Sequence, residues 1–82
     1  MSFAYRTEVL RELARHGLRP TSATSPQQLR DAVRDLYKYE IKRLRSELLL
    51  GRFPKKEYAD RVVALRGRYP LLSLPTELWV IS

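Results

Sequence analysis

The chain has 82 residues with 16 basic and nine acidic side chains, a net charge of +7, and this length predicts one small basic domain, residues 1–82. It has no cysteine, which excludes a disulfide framework and thiolate metal sites, and its single histidine leaves no second imidazole to share a metal or a proton relay. No apolar run approaches the roughly 18 residues of a membrane span, and Met1-Ser2-Phe3-Ala4-Tyr5-Arg6 turns charged too early for a signal peptide, so a cytoplasmic protein with no membrane segment is expected.

In chain order, residues 2–16 predict a first amphipathic helix. Val9, Leu10, Leu13 and Ala14, with Phe3 before them, fall near the i, i+3, i+4 spacing of one helical face. Gly17-Leu18 reads as a Schellman ending, with Pro20 preventing resumption. His16 then belongs to the last turn, where an imidazole interacts with the helix dipole or the last carbonyls. Arg19 to Thr24 is a loop by composition, and its hydroxyls fit a solvated linker.

The long helix expected over about 26–50 organises the rest. Ser25 is the N-cap, Pro26 stands where its missing N–H costs nothing, and Gln28 closes a capping box; Gly51 is the residue best able to take the left-handed conformation at the end. At about 1.5 Å per residue such a helix is a rod of roughly 37 Å. Leu29, Val33, Leu36, Tyr37, Leu44 and Leu48 share one face, while Asp31, Arg34, Asp35, Lys38, Lys42 and Arg45 lie opposite. Glu40 interrupts the apolar face between Leu36 and Leu44. A carboxylate buried unpaired costs several kcal/mol, so Glu40 is expected to be a buried charge held by a basic partner or a tyrosine hydroxyl, setting helix register. Leu48, Leu49 and Leu50 are consecutive and point three ways, so the end of the rod needs covering.

A turn at 52–57 leads to a third helix over about 54–68. Pro54 opens it, Glu57 suits the positive end of its dipole, and Tyr58, Val62, Leu65 and Tyr69 form its stripe, broadened by Ala59 and Val63. With Leu48, Leu49, Gly51, Phe53, Glu57, Tyr58 and Leu65, the segment 41–66 resembles a helical hairpin of the SHOCT family. That resemblance implies oligomerisation or partner binding and no catalysis. The tail, 70–82, holds Leu71, Leu72, Leu74, Leu78, Trp79, Val80 and Ile81, too apolar to be left in water, and must fold back as a strap or dock into a partner.

No nucleophile, metal or phosphate-loop motif is present, so no catalytic, metal or cofactor residue is assigned. The expected architecture is all-α: three helices, the central one long, with the first folded along its N-terminal half, the third along its C-terminal half and the apolar strap closing the core. The expected role is a non-catalytic protein-interaction or oligomerisation module, most simply a two-fold homodimer using Leu49, Leu50, Phe53 and Trp79. The alternative is a basic nucleic-acid (polyanion) binding module. It would use Arg52, Lys55, Lys56, Arg66 and Arg68 within the basic stretch from Lys42 to Arg68. Tyr58 and Tyr69 within that stretch fall on the inferred core stripe, which favours the first role.

Overall fold

Both glycine stop signals are realised as backbone geometry. The structure, a computed structural model, describes residues 2–81; Met1 and Ser82, the ends of the expected domain and tail, lie outside the described residues. Helix α1 (Thr7–Arg15) ends with Gly17 at φ +76°, and the Gly17 and Leu18 N–H groups return to the Ala14 and Leu13 carbonyls at 3.0 and 2.9 Å. Helix α2 (Pro26–Leu49) ends the same way, with Gly51 at φ +74° and the Gly51 and Arg52 N–H groups 3.0 Å from the Leu48 and Glu47 carbonyls. These paired bonds satisfy carbonyls that a helix end leaves without partners. At the start of α2, Ser25 Oγ accepts from the Gln28 N–H at 3.2 Å and Gln28 Oε1 accepts from the Ser25 N–H at 3.0 Å, closing the capping box.

Twenty-four residues of α2 span roughly 36 Å, most of the molecule's 48 Å long axis. Helix α3 (Tyr58–Gly67) runs back along it, and 3-10 turns occupy Lys55–Glu57, Pro70–Ser73 and Thr76–Leu78. The fold is all-α with three α-helices and no β-strand among the described residues. No described helix is long and apolar enough to cross a membrane. The third helix starts later than its sequence suggests. Pro54 has extended ψ of 144°, so the Glu57 N–H reaches back only to the Pro54 carbonyl, at 2.9 Å, and a tight turn precedes α3.

The first helix is corrected more substantially: residues 2–6 are not helical. Their backbone groups are taken by other parts of the chain. The Phe3 N–H donates to the Ser22 carbonyl at 2.8 Å, Arg6 N–H to Trp79 at 3.0 Å, and Ile81 N–H to Ala4 at 2.7 Å, around an antiparallel Tyr5–Val80 bridge. A short helix gains little stability alone, so the tail's partners win these residues. The Tyr5 side chain is buried, and its hydroxyl donates to the Thr24 carbonyl.

The core lies around the first half of α2. Val9 and Leu13 from α1, Leu29 and Val33 from α2, Leu65 from α3, and Tyr69, Leu71 and Trp79 form one buried cluster with Tyr5. The strap therefore closes the core as its composition requires. The Pro70–Ser73 turn packs on both α1 and α2, and Thr76–Leu78 packs on α2. Arg30 fastens it, donating to the Leu74 and Leu72 carbonyls at 3.2 and 3.3 Å. Trp79 is fully buried and its Nε1–H donates to Leu74 at 2.9 Å. We predict that Trp79→Ala lowers unfolding free energy by about 3–5 kcal/mol, a large part of a typical 5–15. The side chain of Ile81 is exposed, so Ile81→Ala should change stability by no more than about 0.5 kcal/mol. Urea titrations followed by far-ultraviolet circular dichroism measure both.

Candidate functional site

Where α3 leaves the core, five side chains from three segments meet. His16, at the C-cap of α1, stacks on the Tyr69 ring with centroids 4.3 Å apart and planes 10° from parallel, and Tyr37 meets the same ring edge-on at 5.4 Å. The Tyr69 hydroxyl donates to the Glu40 carboxylate, and Arg68 lies 3.9 Å from the other Glu40 oxygen. Both kinds of partner expected for Glu40 are thus present. Glu40 is nevertheless not a buried charge. It sits at the edge of the α2–α3 seam with about a third of its side chain (35%) exposed, so water shares in its solvation. His16 keeps the helix-end position read from the sequence, but its ring is occupied by stacking, and its Nε2 is enclosed without a hydrogen-bond partner among the described residues.

This arrangement raises the Tyr69 pKa to about 12. Burial is the main cause, followed by the hydrogen bond to Glu40 and its negative charge, with Arg68 acting in the opposite direction. Burial also pushes the Tyr5 hydroxyl up. The cluster ties α2 to α3 through a neutral tyrosine donating to an ionised carboxylate, a charge-assisted bond stronger than one between neutral groups.

The remaining candidates separate. Phe53 is buried beneath the Arg61 guanidinium, 4.1 Å from its ring centroid, and closes the hairpin turn. With Trp79 in the core, neither of these two self-association candidates has surface to offer. Leu49 and Leu50 do: they are 81% and 70% exposed at the free end of the hairpin. Val63 is also exposed, at 67%, although α3 periodicity places it beside the core stripe.

Arg52, Lys55, Lys56, Arg66 and Arg68 are all exposed, but they do not form one patch. The first three sit at the hairpin turn with no carboxylate within 4.0 Å among the described residues. Arg66 donates to the Tyr37 hydroxyl at 3.4 Å, whereas Arg68 lies beside Glu40, and the two line different clefts. Sequence reasoning passed over Tyr39, which is 65% exposed and lines an open cleft of about 570 Å³ with Arg15, Arg43 and Arg68. Its signal was available: one turn separates Tyr39 from Arg43, on the side of α2 away from Ile41.

The raised Tyr69 pKa has a consequence for stability. Below about pH 10 the phenol is protonated in folded and unfolded chains alike, and its stabilising effect is fully present. As the pH rises past that point the unfolded chain ionises first, so stability falls until about pH 12, where the folded form ionises too. Urea midpoints across this range should decline, and Tyr69→Phe should flatten the decline. Glu40→Gln should move the phenolate absorbance transition of this tyrosine down only part of the way, because burial, the main cause, remains.

No protein-family model matches the chain, and neither a curated protein nor a solved structure matches it.

Proposed function

We propose that this chain is a non-catalytic helical interaction module that pairs with a second copy of itself through the free end of the α2–α3 hairpin. The observation that carries this reading is the exposure of Leu49 and Leu50 at the free end of the hairpin, with Val63 exposed further along α3. Two helices alone enclose little core. A second hairpin laid against the first makes a four-helix arrangement in which each protomer covers the other's leucines, and two-fold pairing needs only one self-complementary surface. The likeness of residues 41–66 to a SHOCT hairpin, which implies oligomerisation or partner binding, supports the same surface.

Magnitudes favour an association of moderate strength. Each such side chain contributes about 1.5–3 kcal/mol when fully buried, and three come from each protomer. The loss of rigid-body freedom opposes this by roughly 4–15 kcal/mol. Charge opposes it too: residues 42–68 hold nine basic and three acidic side chains, so like charges meet across a symmetric pair. Screening over a Debye length of about 8 Å at physiological ionic strength reduces that repulsion.

Light scattering at tens of micromolar is expected to give about twice the 9.7 kDa chain mass. The dimer should tighten as salt is raised, because the opposing term is like-charge repulsion. Leu49→Glu should return the monomer, since a charge cannot be buried there unpaired. Ile81→Glu, at an exposed residue beside the start of the chain, should leave the dimer intact. A mass of one chain, unchanged on concentrating, overturns the proposal.

A further inference from the structure

The cleft beside Tyr39 combines two features that the free hairpin end lacks: an exposed aromatic face and guanidinium groups brought from three separate elements. Arg15 comes from the last turn of α1, Tyr39 and Arg43 from successive turns of α2, and Arg68 from the residue after α3, and all line one open cleft of about 570 Å³. Its back wall includes the stacked His16 and Tyr69 rings. Tyr39 is 65% exposed, which leaves its ring open to solvent within the cleft.

The three arginines are held loosely. Arg15 lies 3.3 Å from Glu12, Arg43 3.7 Å from Glu47 and Arg68 3.9 Å from Glu40, and each guanidinium side chain is largely exposed. Exposed ion pairs of this kind contribute little stability, so exchanging a carboxylate for an incoming phosphate costs little. Glu40 is the one acidic residue lining the cleft, and its carboxylate is already engaged by the Tyr69 hydroxyl. Of the lining side chains three arginines face one carboxylate, while Glu12 and Glu47 pair with Arg15 and Arg43 from outside the lining, on a chain of net charge +7.

We propose that this cleft binds single-stranded nucleic acid, with a base stacked on Tyr39 and the flanking phosphates on Arg15, Arg43 and Arg68. An aromatic platform set in a cationic groove is the arrangement that recognises unpaired strands without reading sequence. A duplex keeps its bases stacked inside and presents no face to Tyr39. An acidic peptide satisfies the arginines but leaves the ring unused. The cleft is distinct from the leucines of the hairpin end, so the two surfaces are separable by mutation.

Fluorescence anisotropy with a labelled single-stranded oligothymidylate of about 15 nucleotides tests this on the intact protein, with a duplex of equal length and an oligoglutamate peptide as competitors. Binding tighter than roughly 10⁻⁴ M at low salt is expected, with a salt slope near −2, from about −0.7 for each of three phosphates. Tyr39→Ala should weaken binding by about 5- to 150-fold, the range that base–aromatic stacking supplies. Arg43→Ala should make the slope shallower by about 0.7, while a Lys55→Ala/Lys56→Ala variant at the distal turn leaves it unchanged. Leu49→Glu, which addresses self-association, should still bind the strand.

Affinity weaker than that limit at low salt, or equal affinity for the duplex, overturns the proposal. So does competition by oligoglutamate at equal charge, or insensitivity to Tyr39→Ala in a variant whose circular dichroism is native. A slope carried by Lys55 and Lys56 places the contact at the turn and overturns it as well.

Discussion

The indole of Trp79 is the side chain on which the proximal end of the rod depends. It has no solvent contact, and its one polar group is satisfied by the Leu74 carbonyl five residues earlier, as a buried indole N–H requires. To reach that position the tail bends through two 3-10 turns, which bring Leu71 and Trp79 into the same core and leave the Leu72 and Leu74 carbonyls facing Arg30. The backbone after Trp79 is then aligned to pair with residues 4–6, so the two ends of the chain meet. Without the indole in place, neither the extended start of the chain nor the packing of the Pro70–Ser73 turn on α1 has an anchor.

Because the tail is short, this closure can serve only part of the rod. Helix α1 has nine residues and α3 ten, against 24 in α2. The buried residues of α2 are Leu29 and Val33, both in its first half, and the second half has none. That disparity separates the molecule into a closed end and an open hairpin. The hairpin also concentrates charge, with nine of the chain's 16 basic residues between 42 and 68. Apolar exposure and positive charge on one element act oppositely when salt changes: screening helps two hairpins approach each other and hinders either from holding an anion.

The Glu40–Tyr69 contact links the two ends. It spans 29 residues in sequence and joins α2 to the segment following α3 where the core gives way to the hairpin. The stacked His16 ring brings α1 to the same place. The cleft beside Tyr39 exists because these three segments converge there, each presenting an arginine at the rim.

Local signals in the sequence determined the elements. Ser25, Pro26 and Gln28 specify where α2 begins, and Gly17 and Gly51 specify where α1 and α2 end, because caps and left-handed turns depend on residues a few positions apart. The apolar tail was legible as a strap for the same reason, from composition alone, and so was the need of Glu40 for a partner. What only the tertiary structure decided is how distant segments compete for the same surface. Residues 2–6 carry a helical pattern yet pair with the tail, since Trp79 delivers backbone partners that no local rule anticipates. Trp79 and Phe53 look alike in sequence to Leu49 and Leu50 as exposed-end candidates. The fold buries the first two and leaves the others in water, because burial depends on what another part of the chain brings to a residue and not on the residue's own hydrophobicity. Tyr39 follows the same logic in reverse: its ring is apolar enough for a core, but α1 and α3 stop short of covering it and present arginines beside it instead.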